Sequence, residues 1–388
     1  MEFTPAGSEI STILRHDKKR TSYKIALLRS INEVVLNYPD LDASGRDVAV
    51  PLLTLAERWI AYYWPFVDPG APIYQGHRSE LNGELRNDMA FRPALTRLRT
   101  LWEKDHPGSK PSDGFFLVND FQIERKRKTF SDEFVDGYYA ARRKVKDVIQ
   151  YPIKHAGPDQ WTVFPKPKQL YQLDGNVRAL PQAKGNYTCL VIRSDLWDTF
   201  RRLSLWVEAL CIHEWCLFTE TVQQDSETPA DRGHIYRLLT DRPDNRVALS
   251  WERNRIDLLL MEGETFVCPW TERTLAQSAD YAIDHLLPLS VYPINELWNL
   301  VPVDRDFNSN VKRDRLPSAS RLDQAQPHLV RAYETYLHQG DLKRALRQDV
   351  DLRFADLNAS GRSFPVAVTQ ATTRFIEQVA RARNLARF

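Results

Sequence analysis

Cysteine is scarce: Cys189, Cys211, Cys216 and Cys268 are the only four in the chain. No two have CxxC spacing, so a zinc knuckle is not indicated. They do not suggest a disulfide framework either, and a reducing cytoplasm fits best. Long apolar runs are also missing. None reaches the roughly 20 residues a membrane helix needs, and the opening MEFTPAGSEI has no signal-peptide core. Charge of one sign is lacking too. The chain has 53 Lys+Arg against 51 Asp+Glu, a net charge of +2. A uniformly basic nucleic-acid coat is excluded, so any such surface must come from local clusters. His213-Glu214 invites a metalloprotease reading, but the position four residues after His213 is Leu217 and HExxH is absent. That pair reads as structural. The absences together describe a soluble cytoplasmic chain with no membrane partner.

What is present is a chain of 388 residues, long enough for two or three domains. Its 43% hydrophobic and 27% charged content is ordinary for a globular protein, and 11% aromatic residues argue against broad disorder. Ile25, Leu28, Ile31 and Val35 have helical spacing, with Thr21 or Ser22 able to cap the start. Residues 52–64, 93–104, 130–149 and 195–219 also read as helices. Trp197, Trp206 and Trp215 add bulk to the last of these. Residues 160–184 read as short strands and loops, and 187–193 as a strand. Residues 329–338, 341–347 and 366–385 are helical again. The division that follows is an N-terminal helical region over 1–120, a mixed region over 121–255, a small module over 256–320 and a helical region over 321–388. Arginine and lysine cluster at 15–20, 125–128, 142–146 and 312–315. Each cluster alone reads as a solvated helix face.

One segment echoes another. Asp40-Leu-Asp-Ala-Ser-Gly-Arg46 recurs as Asp356-Leu-Asn-Ala-Ser-Gly-Arg362. The plain reading is a shared helix-to-helix turn, with Asp, Asn and Ser as caps and Gly at positive φ. The sharper one is a pair of backbone nests that bring Arg46 and Arg362 to DNA phosphates.

Residues 266–318 carry the chemistry. Asp284, His285, Asn299 and Asn308 stand out against an apolar frame of Phe266, Trp270, Leu287, Trp298 and Phe307. Residues 266–268 read as a short strand into a Pro-Trp turn, and 282–285 as a strand end. Residues 297–301 form a second apolar segment. A helix follows, with Pro302 or Asp304 near its start and with Asn308 and Lys312 at i, i+4 on one face.

The order D-H, then N-L-V-P, then F-N, then a basic tail resembles the HNH, or ββα-metal, endonuclease family over about residues 264–318. It is similar to stand-alone HNH enzymes and to the HNH domain of RNA-guided CRISPR nucleases. The resemblance implies an α+β fold, with mainly α-helical flanks around a small ββα-metal nuclease module. It implies His285 as general base, Asp284 and Asn308 as ligands of Mg²⁺ or Mn²⁺, and Asn299 as a brace of the histidine loop. Lys312, Arg313 and Arg315 would grip phosphates beside the cut. Two departures matter. Asn308 stands where many members have histidine, and the CxxC pairs of zinc-stapled members are absent, so no structural zinc is expected. Asn295 and Asn310 are rival asparagines, the first too early for the N-L-V-P step and the second off the face of Asn308.

The function so implied is metal-dependent hydrolysis of DNA, with double-stranded DNA as partner, in restriction or anti-phage defence. One such centre cuts one strand per event, so a double-strand break needs a homodimer or a second encounter, and partner proteins of a defence system could take part. The alternatives are a non-catalytic DNA-binding or assembly subunit, and an RNase or toxin.

Overall fold

In the computed structural model the residues described are 5–388 except 40, 42–44, 79, 82–83, 182, 225–228, 242–248, 293, 355–356 and 358–362. The chain forms two compact units. One comprises Met1–Val118 and Arg127–Arg242, the other Asn119–Lys126 and Pro243–Phe388.

The first unit is helical because its apolar residues recur at three- and four-residue spacing. Its elements are α1 (Pro5–Arg15), α2 (Tyr23–Asn37), β1 (Val48–Pro51), α3 (Leu52–Tyr63), β2 (Glu80–Leu81), β3 (Glu84–Leu85) and α4 (Arg92–Asp105). Helix α5 (Asp113–Gln122) begins in this unit and, with α6 (Glu124–Arg127), carries the chain into the second. There follow α7 (Asp132–His155), β4 (Lys168–Gln169), β5 (Arg178–Ala179), β6 (Thr188–Ile192), α8 (Ser194–Gln223) and α9 (Arg232–Thr240). A sheet of order β4-β6-β1-β5 lies among them, with β1 antiparallel to β6 and parallel to β5. Strand β1 is fully buried in a stretch whose helical pattern on both sides hides it. Ser22 stands at the N-cap of α2 without a side-chain capping bond, because its Oγ is 2.9 Å from the Tyr63 hydroxyl instead. Trp215 is buried and donates to Gln75, whereas Trp206 is 71% exposed and adds nothing to the core. The long α7 runs through Pro152 to His155.

The second unit contains α10 (Ser250–Met261), β7 (Phe266–Val267), β8 (Thr274–Leu275), β9 (Tyr281–His285), β10 (Leu300–Asp304), α11 (Arg305–Phe307), α12 (Ala319–His338), α13 (Gly340–Arg353) and α14 (Phe364–Arg383). Strands β9 and β10 pair antiparallel, with His285 opposite Leu300 and Asp284 opposite Val301. Two tyrosines of α12 fix this hairpin from behind: Tyr333 donates to the Trp298 carbonyl at 2.6 Å and Tyr336 to that of Leu300 at 2.9 Å. Leu297, Trp298, Leu300 and Val303 join the α12, α13 and α14 side chains in one core. The fold is α+β, mainly helical, with small sheets.

Of the repeated seven-residue motif, Asp40, residues 42–44, Asp356 and residues 358–362 lie outside the described residues. Arg362 is among them. Gly45 of the first copy has φ +75°, and Arg46 is exposed.

Candidate active site

The polar residues of the hairpin are held in an apolar frame. Phe266, Leu287 and Trp298 are fully buried, while half-buried Trp270 and Phe307 each meet the Phe388 ring edge-on. Pro302 lies within β10, and Asp304 caps the short α11 by accepting from the Phe307 backbone N–H at 3.0 Å. The regular helix read over this stretch is instead one turn of α-helix followed by a π-turn over Asn308–Lys312, closed by Arg313 N–H to the Asn308 carbonyl at 3.0 Å. Asn308, Ser309 and Asn310 are weak helix formers, which suits an irregular turn.

Asp284 and His285 end β9 side by side and both are buried. Burial pushes the Asp284 carboxyl up, and the Lys312 ammonium pulls it back down. Lys312 Nζ is 2.8 Å from Asp284 Oδ1 and donates to the His285 carbonyl at 2.8 Å. The second oxygen, Asp284 Oδ2, is buried without a hydrogen-bond partner. Trp270 lies beside this carboxylate, yet its Nε1 also lacks a bond of ordinary geometry.

Lys312 is drawn inward by Asp284. It is 1% exposed and turned onto Asp284, not presented at the surface for phosphate. The reason is electrostatic: a buried carboxylate without a counter-charge is costly, and Lys312 supplies one. Arg313 is exposed at the end of the π-turn with φ +51°, and half-buried Arg315 donates to the Val311 carbonyl. Asn308 opens the same turn and is half-buried.

Asn299 is fully buried and uses both ends of its amide on one residue. Its Oδ1 accepts from Leu287 N–H at 2.8 Å, and its Nδ2 donates to the Leu287 carbonyl at 3.2 Å. Its own carbonyl accepts from Leu286 N–H at 2.8 Å. The loop leaving His285 is thereby tied to the start of β10.

His285 has a partner that sequence order alone assigned a minor place. Its Nε2 is 2.8 Å from Asn295 Oδ1. Burial pushes the imidazole down to about 4, so it is neutral at pH 7. The signal for Asn295 in the sequence was only its being one of two surplus asparagines. Its alignment on His285 depends on the fold.

An Asp–Asn pair can hold a hard divalent cation, because such ions take few protein oxygens and keep several waters. The partnerless Asp284 Oδ2 fits that requirement. Among the described residues there is no group of three or more His, Cys, Asp or Glu that could hold a metal.

Comparison with known proteins finds a match within the second unit. A family model described as HNH endonuclease matches residues 268–318. A second model, described as a domain of unknown function (DUF8808), matches residues 4–239. No curated protein and no solved structure matches the chain. Among the described residues no helix is long and apolar enough to cross a membrane. The second model spans more than half of the sequence, so the chain belongs to the DUF8808 family of unknown function and carries an HNH endonuclease segment beyond it.

Proposed function

We propose that the protein is a divalent-metal-dependent endonuclease that hydrolyses DNA phosphodiester bonds, with Asp284, His285, Asn299 and Asn308 as its working residues. The observation that carries this reading is the pair at the end of β9. A neutral imidazole stands beside a buried carboxylate with one oxygen left over. Neutral imidazole can take a proton from water near pH 7, which makes His285 the base. Asp284 Oδ2 and the Asn308 amide oxygen would hold the cation, Mg²⁺ or Mn²⁺. When bound, such an ion polarises the phosphoryl oxygen and stabilises the leaving alkoxide. A cation there would also relieve Lys312 of neutralising Asp284 and free its ammonium for phosphate. Arg313 and Arg315 are the other proposed phosphate contacts. Asn299 orients the loop behind the base rather than touching the reacting atoms. Double-stranded DNA and a role in restriction or phage defence complete the reading.

Plasmid nicking with Mg²⁺ and with EDTA tests it. His285→Ala should lower the rate at least about a hundredfold while leaving DNA binding intact. Equal rates for wild type and His285→Ala would remove the assignment. Linear duplex, single-stranded DNA and RNA run in parallel identify the substrate.

A further inference from the structure

We propose that Asn295 is the positioning residue for His285, and that the segment Asn119–Lys126 holds Asn295 in place. The proposal rests on the reading of His285 as base. Asn295 is 1% exposed, and its Oδ1 lies 2.8 Å from His285 Nε2. Which way its amide points decides which imidazole nitrogen carries the proton. Asp120 settles this. Its carboxylate is buried, lies against the Asn295 amide and has Lys126 at 3.5 Å. Asn295 Nδ2 has no bond of ordinary geometry, and neither does Asp120 Oδ1. Turning the amide over would set its oxygen against that carboxylate. With Nδ2 toward Asp120, Oδ1 accepts from Nε2–H, and His285 Nδ1 keeps the lone pair that a base needs.

The backbone around Asn295 is gripped as well. Arg125 Nη2 donates to the Asn295 carbonyl at 3.1 Å, across 170 residues of sequence. Its Nη1 reaches both Asp349 oxygens, at 2.7 and 2.8 Å, and Asp349 Oδ2 also accepts from Leu297 N–H at 2.7 Å. The guanidinium covers the Trp251 ring at 5.1 Å. Arg125 and Asp349 therefore fix the peptide on both sides of Glu296. Asp120, Arg125 and Lys126 all come from Asn119–Lys126, which belongs to the second unit although its neighbours in sequence belong to the first. The module that the family model delimits at 268–318 is incomplete without this strap.

The test is a long-range ¹H–¹⁵N spectrum of the full, metal-free chain labelled at its nine histidines, with the His285 signals assigned by their loss in His285→Ala. Wild type should show His285 protonated on Nε2. Asn295→Ala and Arg125→Ala should each shift it to a mixture of tautomers. Both should lower kcat about 10–100-fold with KM changed less than about twofold. Asn295→Asp keeps an acceptor for Nε2–H but opposes Asp120, so it should be impaired, and adding Asp120→Asn should restore both tautomer and rate. A folded Asn295→Ala with the wild-type tautomer and kcat overturns the proposal, as does a failure of the double variant to recover. A tautomer shift combined with full activity of His285→Ala keeps the positioning and removes the role of base.

Discussion

In the first unit Arg92 is buried and its hydrogen bonds go to Asp88 and to backbone carbonyls. It pairs with both oxygens of Asp88 and donates to the Phe66 and Ile73 carbonyls at 2.8 Å each. Asp88 in turn accepts from Gln75 N–H at 2.6 Å. In the second unit Lys312 is buried just as deeply, yet it covers one oxygen of Asp284 and leaves the other without a partner. A planar guanidinium with five donors suits a permanent strut; a single ammonium is a point charge that another cation can replace. A saturated ion pair holds a fold, and a half-satisfied one can change partners.

Removing either cation should have the largest effect. Arg92→Ala and Lys312→Ala should each cost about 3–5 kcal/mol, because each strands a buried carboxylate. Divalent metal should separate them. At a hundred times its dissociation constant, a bound cation returns about 2.7 kcal/mol. Lys312→Ala should therefore recover stability with Mg²⁺ in urea unfolding, and Arg92→Ala should not. Equal responses would end the distinction.

A smaller effect concerns protonation. Burial beside Asp349 pushes Glu296 up to about 8, with Arg353 and Arg125 pulling the other way. This lies above the ordinary glutamate value of 4.5, so the folded state keeps a proton that the unfolded chain releases. That contribution is complete below pH 4.5 and is lost as pH rises through 8. Glu296→Gln keeps an acceptor for the Trp298 indole and removes the titration. It should gain about 4 kcal/mol over wild type near pH 8, and almost none near pH 4.5. A pH-independent difference in unfolding free energy would contradict this.

The two buried asparagines give a gentler contrast. Asn299→Ala leaves Leu287 N–H and C=O unpaired, at about 1–3 kcal/mol, and should slow nicking by loosening the loop after His285. Asn32 in the first unit makes one bond, to the Ser204 carbonyl at 3.1 Å, and its Oδ1 has no partner. Asn32→Ala should cost about 1 kcal/mol or less and leave nicking unchanged. Thermal unfolding together with nicking rates distinguishes the two.

These contrasts track what the sequence made legible. Strand β9 and the cap at Asp304 could be read because both are local: a polar pair ends an apolar run, and a short side chain precedes a turn. The helices could be read for the same reason, since their apolar faces repeat within one segment. Strand β1 could not, because its pairing partners lie at 178–179 and 189–192. Asn295 and Lys312 are the clearest cases in the site. The first needs Arg125 and Asp120, far away in sequence, and the second was placed by the cost of an unpaired Asp284. Sequence order nominated the residues of the candidate site, and desolvation and distant contacts decided how they face one another.

The smallest expected effect asks whether nucleic-acid contact is confined to the second unit. Arg313 is exposed beside the π-turn, and Arg143 is exposed on α7 of the first unit, beside Arg142, Lys144 and Lys146. Arg313→Gln and Arg143→Gln remove one charge each and should leave unfolding free energy within about 0.5 kcal/mol of wild type. If Arg313 touches phosphate, its loss should lower the slope of log Kd against log salt by about one, as each phosphate contact releases about one counterion. Arg143→Gln should leave the slope unchanged if α7 stands clear of DNA. A matching drop would mean that the DUF8808 region also grips the backbone. The two units would then differ in how they bury charge but not in what their exposed charge binds.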